Sequence, residues 1–430
     1  MADVRSALGP FPLEEAAALG LIAVEGEDVR ALLRISGYED LLFAYDFYTP
    51  QTMKRPDVVL GVSPASVSLV SLTVRRPVER ALDLGTGCGI QALLASRHAR
   101  HVVATDINQR ALDIAALNAR LNGIENVEFR KGSLFEPVQH DRFDLIVSNP
   151  PFVISPDNAF EYRDSGMRGD TICRLVVREA AGHLSEGGFA TFLCNWAQTE
   201  KDETAAEVVG AWIEGAPVDT WVLHDPPLDA TTYASRWIGS PDAEAYAADL
   251  DRWTAYYQEL GINAITFGGV ILRRRTAGDN WLRIDELPDT RRRTCGSHIE
   301  RVFDAQDYLQ ATPRDQIMQT ALVLTPDVRV EQATRPGEDG MELERASLEF
   351  TQGIPLVAAL NLHSLQMINR CDGVRTLQEI SDEIASAVGA PAEDVSKGVI
   401  GVAVLMIGLG FLAPAAEGGR GRDKRKEAKR

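Results

Sequence analysis

The stretch Phe143-Asp144-Leu145-Ile146-Val147-Ser148-Asn149-Pro150-Pro151-Phe152 decides how this chain is read. Its first six residues form an apolar run with the character of a buried strand. The next four are a poor choice for stability, because two consecutive prolines remove two backbone donors and stiffen the turn. An asparagine is left at the carboxyl end of the strand, where open α/β sheets place their ligands. Such a turn holds one side-chain amide, one carbonyl and one aromatic ring in a fixed arrangement. That suits the grip of a flat group carrying an NH2.

Around this stretch, short apolar runs alternate with amphipathic helices. The runs fall at Arg80–Leu84, His101–Thr105, Val127–Arg130, Gly188–Cys194, Asp219–His224 and Ala264–Arg273. Helical spacing covers Ile90–Ser96, Gln109–Asn122 and Arg174–Leu184. The alternation predicts an α/β fold with a parallel sheet over residues 61–275. The helix from Gln109 follows Asn108, a capping residue, and stops at Gly123. A helical insertion at about 230–260 carries Tyr233, Trp237, Tyr246, Trp253, Tyr256 and Tyr257. Because Tyr246, Leu250, Trp253 and Tyr257 share one helical face, core packing is expected of them rather than substrate stacking.

Three more motifs stand at strand ends. In Asp83-Leu84-Gly85-Thr86-Gly87-Cys88-Gly89 the glycines permit a tight turn and close approach of a ligand to the main chain. The spacing is G-x-G-x-G, which is not the dinucleotide fingerprint. Asp106 ends the next strand, roughly 20 residues beyond the first glycine, where a carboxylate accepts hydrogen bonds from ribose hydroxyls. Its alternative role is a cap within Asp106-Ile107-Asn108. Gly132-Ser133-Leu134-Phe135 follows the third strand, where an adenine ring would lie, with Leu134 on its face and Ser133 at its edge.

These motifs, with A-L-x-x-A-x-x-N-A-x-x-N-G (Ala111–Gly123) and Gly187-Gly188, resemble those of class I S-adenosylmethionine-dependent methyltransferases. More narrowly the chain is similar to the N-P-P-[FY] subgroup, which includes release-factor and ribosomal-protein glutamine methyltransferases and adenine-N6 and guanine-N2 methyltransferases. The resemblance implies a Rossmann-like sheet and S-adenosyl-L-methionine as cofactor, held by Asp83, Gly85, Gly87, Gly89, Asp106, Asn108, Ser133 and Leu134. It also implies that Asn149 Oδ1 and the Pro150 carbonyl accept the two N–H bonds of the target NH2. Phe152 would stack on its plane, with Pro151 beside it. One departure is Ser133, where those relatives usually carry Asp. A sulfonium methyl is already activated, so the reaction asks mainly for positioning and electrostatics, with no catalytic His and no metal.

Downstream, Glu161–Asp170 reads as a polar loop. Arg163 either holds an acidic or carbonyl-bearing substrate or is consumed in an Arg163–Asp164 pair, with Arg168–Asp170 as a parallel pairing. Gly61–Ser66 is a candidate cover for the amino-acid end of the cofactor. Residues 1–60 read as a small helical region, from the spacing in Leu13–Leu21 and Val29–Ile35. Residues 280–415 read as a separate α+β unit. It has strand-like runs at Thr320–Leu324 and Glu342–Phe350, then a helix, a turn and a second helix from near Thr376. A third helix near Val395–Ile407 leads into Gly408–Leu412. This pattern, and Ile368–Ile380 in particular, is similar to winged-helix peptide-binding modules and implies a protein or peptide substrate. Residues 416–430 read as a disordered basic tail.

A net charge of −18 opposes broad phosphate-backbone binding. Arg273–Arg275, Arg291–Arg293 and the tail are the local basic candidates, or else solvated segments. Five scattered cysteines without a C-x-x-C pair argue against a disulfide framework or zinc site and fit a reducing cytoplasm. No apolar run reaches membrane-spanning length, and the first residues lack a secretory pattern. The expectation is a cytoplasmic N-methyltransferase acting on a protein or peptide amide, with no membrane partner. The alternatives are an N-methyltransferase for an adenine or guanine amine in RNA or DNA, and a non-catalytic cofactor-sensing regulator.

Overall fold

The computed structural model describes residues 4–6, 9–18, 20–47, 49, 55–157, 161–199, 204–239, 242–287, 293–337 and 340–415. The chain divides into two units, the first ending at Leu287. The first unit opens with helix α1 (Leu13–Ala18) and two hairpins, β1 (Ile22–Glu25) with β2 (Asp28–Ala31) and β3 (Leu33–Tyr38) with β4 (Leu41–Asp46). The expected helical region is therefore mostly strand, and the run Val29–Ile35 belongs to β2 and β3. Tight turns on either side of that run fold it into two hairpins instead of a helix. Gly26 (φ 66) and Glu39 (φ 52) take the left-handed conformation at the two hairpin bends.

Next come α2 (Pro64–Leu72), β5 (Val78–Leu84), α3 (Ile90–Ala95), β6 (Ala99–Asp106), α4 (Gln109–Leu121), β7 (Val127–Lys131) and β8 (Phe143–Ser148). They are followed by α5 (Thr171–His183), β9 (Leu184–Gln198), α6 (Ala205–Ile213), β10 (Val218–His224) and β11 (Leu228–Asp229). The insertion forms α7 (Ala230–Trp237) and α8 (Ala243–Leu260), before β12 (Ala264–Arg274) and β13 (Leu282–Glu286). The main sheet runs β13-β10-β12-β9-β8-β5-β6-β7. Strands β5 to β9 pair in parallel, and β12 is antiparallel to both neighbours. Strand β5 continues to β6 on one side and has β8 on the other. That reversal opens a crevice at the carboxyl ends of β5 and β8. The apolar runs in these strands reflect burial on both faces of the sheet.

The sheet passes the expected boundary at 275, since β13 pairs in parallel with β10. The sequence Leu-Arg-Ile-Asp-Glu carried no continuous apolar signal because β13 is an edge strand with half-exposed residues. Side chains fix it: Trp221 Nε1 donates to Asp285 at 2.7 Å, and the Arg283 guanidinium lies 4.8 Å from the Trp221 ring centre. Of the arginine clusters, Arg273 and Arg275 both bind the buried carboxylate of Asp219, and Arg274 pairs with Glu186. Arg291, Arg292 and the tail 416–430 lie outside the described residues.

The second unit contains α9 (Gly296–Ala311), α10 (Arg314–Met318), β14 (Ala321–Leu324), β15 (Val328–Gly337), β16 (Gly340–Phe350) and β17 (Val357–Leu360). It continues through α11 (Leu362–Ile368), β18 (Asp372–Thr376), α12 (Leu377–Val388), α13 (Ala392–Gly408) and β19 (Leu412–Pro414). Its strands form two three-stranded sheets, β18-β14-β19 and β15-β16-β17. The α+β character is as expected, but the winged-helix reading goes no further than three helices and a short apolar strand. The expected turn at Cys371-Asp372-Gly373 starts strand β18, because Asp372 accepts from the Val374 and Arg375 amides and turns the chain alongside β14. The central strand of that sheet is β14, which comes from far upstream of β18 and β19.

Candidate active site

The carboxyl ends of β5, β6, β7 and β8 surround a cavity of about 390 Å³. The glycine loop forms one wall. Gly85, Gly87 and Gly89 have φ of 76°, 55° and 88°, all in the left-handed region that favours glycine. Gly85 and Gly87 line the cavity. Gly89 does not, and its requirement is one of packing: a Cβ there would stand 3.0 Å from Leu93 and 3.1 Å from Ala115, between α3 and α4.

Asp83 faces the cavity from the end of β5 and is almost fully buried. Its Oδ2 accepts from Thr86 Oγ1 at 2.7 Å and from the Ala92 amide at 3.0 Å. Burial pushes its carboxyl up to about 7 despite those bonds. Asp106 accepts from the Gly87 amide and the Asn108 amide, each at 2.9 Å. It therefore ties the glycine loop to the end of β6 while still facing the cavity, and burial raises its pKa as well. Asn108 lines the cavity too, but its amide is engaged. Its Oδ1 caps α4 through the Arg110 and Ala111 amides, and its Nδ2 donates to the Asp57 carbonyl at 3.1 Å. Ser133 and Leu134 lie on the wall beyond β7. Leu134 has φ 48°, an outlier for a bulky residue.

The opposite wall is the end of β8. Ser148 Oγ donates to the Leu84 carbonyl at 2.6 Å and locks β8 to β5 where the strand order reverses. Asn149, Pro150 and Pro151 line the cavity. Among the described residues Asn149 Oδ1 is buried without a hydrogen-bond partner, as are Asn195 Oδ1 and Gln366 Oε1, but of these three amides Asn149 alone lines the cavity. Phe152 does not line the cavity. Its ring packs 5.5 Å from that of Phe267, and its backbone bridges to Asp164. Arg163 is likewise absent from the cavity wall. Its guanidinium makes a two-pronged pair with the buried Asp164 at 2.8 and 3.0 Å and reaches Asp157 at 3.6 Å. Of its two expected roles the ion pair is the one seen. Arg168 pairs with Glu259 rather than Asp170, and Asp170 accepts from the Ala197 amide.

Sequence reasoning missed several wall residues: Thr86, Gln91, Glu161, Tyr162, Asp164 and the segment Val58–Leu60. Gly61, Ser63 and Ser66 do line the cavity, in the stretch expected to cover it. The segment at Val58 owes its place to the first hairpins. Asp46 accepts from the Val59 amide at 2.8 Å, and its own amide donates back to the Val59 carbonyl. Strand β4 is in turn held by two asparagines of α4. Asn118 bonds both backbone groups of Ala44 and the Cys88 carbonyl, and Asn122 bonds both backbone groups of Leu42. A buried asparagine on an apolar helix face was the readable signal; nothing local marks Val58 or Val59.

The charge of the wall is one-sided. It carries Asp83, Asp106, Glu161 and Asp164, and among the described lining residues there is no Lys, Arg or His. Burial, followed by Asp106 and Asp57, raises the Glu161 carboxyl. Such a cavity repels phosphates and attracts a cation. It fits a nucleoside carrying a sulfonium and an ammonium group. Among the described residues no cluster of His, Cys, Asp or Glu is arranged to hold a metal, and no helix is long and apolar enough to cross a membrane.

A mixed sheet whose parallel strands reverse their order at a glycine loop, with an acidic nucleoside-sized cavity and an N-P-P-F strand end, defines a class I S-adenosylmethionine-dependent methyltransferase domain. Residues 61–211 match the family model of the methyltransferase small domain, a match that implies S-adenosyl-L-methionine as cofactor. The chain is 37% identical over 143 residues to a release factor glutamine methyltransferase of Xylella fastidiosa, covering 30% of this chain and 52% of that one. It is 35% identical over 150 residues to a ribosomal protein uL3 glutamine methyltransferase of Bradyrhizobium diazoefficiens, covering 32% and 47%. It thus spans about half the length of these relatives. A crystal structure of a methyltransferase from Pyrococcus furiosus aligns at 18% identity with a TM-score of 0.31, covering 54% of this chain and 89% of that one.

Proposed function

We propose that this chain transfers a methyl group from S-adenosyl-L-methionine to a planar amide nitrogen of a protein or peptide. The observation that carries the reading is the buried, unpartnered Oδ1 of Asn149 on the same wall as Pro150 and opposite the acidic glycine-loop wall. When bound, the cofactor supplies a methyl group already activated by its sulfonium. Asp83, Asp106 and Glu161 provide the acidic surroundings that suit its sulfonium and ammonium groups, Gly85 and Gly87 let it approach the main chain, and Leu134 and Ser133 stand where the face and edge of the adenine would lie. Asn149 Oδ1 and the Pro150 carbonyl accept the two N–H bonds of the target. That draws the nitrogen lone pair out of conjugation and fixes its direction. Both acceptors are preorganised by the stiff turn, so no reorganisation is needed at the moment of reaction. The nitrogen proton leaves after transfer, so no strong base is required.

The amide is favoured over a nucleic-acid base by charge. The chain is strongly acidic, and the described arginine cluster is consumed by Asp219 and Glu186. Both glutamine methyltransferases above carry a protein substrate in their names. The deciding experiment is transfer of tritiated methyl into a cell lysate separated into protein, RNA and small-molecule fractions. Label in the protein fraction supports the reading, and label confined to RNA replaces it.

A further inference from the structure

The turn that follows Asn149 needs a fixed position, yet past Phe152 it leaves the sheet. Its support comes from the insertion α7–α8. Ile154 is completely buried, and both of its backbone groups are met by tyrosine hydroxyls. The Ile154 amide donates to Tyr233 of α7 at 3.2 Å, and the Ile154 carbonyl accepts from Tyr257 of α8 at 2.8 Å. Asn195 of β9 donates to the same Tyr233 oxygen at 2.5 Å and anchors that tyrosine to the sheet. Two side chains thus do what a neighbouring strand would do for Ile154. The rings sit in an apolar cluster with Val153, Trp253 and Ile265.

The same helices hold the chain at two further points. Trp253 Nε1 donates to Asp157 at 3.3 Å and Arg252 pairs with that carboxylate, while the Gly169 amide donates to Tyr256 at 2.9 Å. At Ile154, Asp157 and Gly169 the acceptor side of the site is therefore strapped to α7 and α8. Burial raises the pKa of both Tyr233 and Tyr257, so both remain neutral hydroxyls across the physiological range.

We infer that Tyr233 and Tyr257 are positioning residues: by clamping Ile154 they set the placement of the Asn149-Pro150 acceptors, and the aromatic insertion serves transfer without touching the cofactor. This rests on the reading of N-P-P-F as the acceptor grip. Neither tyrosine lines the cavity. Loosening the clamp should lower turnover and leave cofactor binding alone, which a merely structural loss would not do.

The test uses Tyr233→Phe and Tyr257→Phe, singly and together, in the full chain, with Asn149→Ala alongside. Three quantities are read: amide hydrogen exchange at Ile154, the dissociation constant for S-adenosylmethionine, and initial rates of tritiated-methyl transfer into the lysate protein fraction at varied cofactor concentration. Expected are at least tenfold faster exchange at Ile154 and at least tenfold lower kcat in the double variant. The cofactor dissociation constant and KM should stay within about twofold of the parent. Transfer within twofold of the parent, with faster exchange at Ile154, overturns the clamp while leaving the site reading intact. Loss of cofactor binding in step with activity makes the tyrosines structural and also overturns it. If Asn149→Ala transfers as well as the parent, the reading of the acceptor turn falls, and the clamp's role falls with it. Each single variant stands on its own, so misfolding of one leaves the other decisive.

Discussion

Asn149 shows how a residue type chosen against stability marks function. A buried amide oxygen with no donor costs roughly 1–3 kcal/mol relative to a satisfied one, and the fold tolerates it at the mouth of the cavity. Replacing it should therefore harm chemistry and spare the fold. Asn149→Ala is expected to lower transfer by about 10–1000-fold with the cofactor dissociation constant unchanged, checked by tritiated-methyl rates and calorimetry. Asp83 makes a second prediction, on pH. Its carboxyl stands at about 7 against an ordinary 3.8, so the neutral form is the one burial favours. Its contribution to stability is full below the ordinary value and is lost as pH rises through about 7. Denaturation midpoints should fall across that window in the parent relative to Asp83→Asn. A cationic ligand favours the ionised form, so cofactor affinity should rise between pH 6 and 8 in the parent and stay flat in Asp83→Asn, read by titration calorimetry. Equal pH profiles would separate Asp83 from the ligand. Both residues were legible in the sequence because glycine turns and strand-end polar residues leave a local mark. Phe152 was less legible, because whether its ring faces a ligand or the interior depends on Phe267, brought close only by folding, whereas the Arg163–Asp164 pair was one of the two roles the sequence offered.

Among the elements, α4 does more than link β6 to β7. Its two inward asparagines present amide edges to β4 as a strand would, and so carry the β3–β4 hairpin onto the glycine loop. Through Asp46, strand β4 then fixes Val59 on the cavity wall. Asn118→Ala strands the Ala44 amide and carbonyl and the Cys88 carbonyl. The expected loss is about 2–4 kcal/mol, measured by urea denaturation, together with weaker cofactor binding as the loop and the Val58–Leu60 wall relax. Unchanged stability would mean that water replaces the amide and that α4 only packs. The helical spacing of Gln109–Asn122 and its Asn108 cap were readable from local sequence. The hairpins were not, because at four to six residues the apolar spacing of Val29–Ile35 serves a helix or two short strands equally well. The turns at Gly26 and Glu39 decided it.

In the whole molecule, the two units have separate hydrophobic cores, one built around Phe192 and Trp196 and the other around Phe411 and Met367. A chain ending at Leu287 should therefore fold and bind S-adenosylmethionine within about threefold of the full chain, checked by circular dichroism and calorimetry. Its methylation of the lysate protein fraction should fall if the second unit recognises the substrate. A truncated chain that fails to fold would show that the cores depend on each other. The sequence by itself determined the parallel strands β5 to β9, the glycine loop, Asp106 and the N-P-P-F turn, because burial on both faces and special backbone geometry restrict which residues each position accepts; the antiparallel pairing of β12 was not legible. It could not determine that β13 extends the sheet, that a wall of the cavity comes from residues 58–60, or that two tyrosines hold Ile154. Those contacts join residues far apart in the chain, and each side chain taken alone is an ordinary core or surface residue. Only the tertiary structure decides which distant donor meets which acceptor.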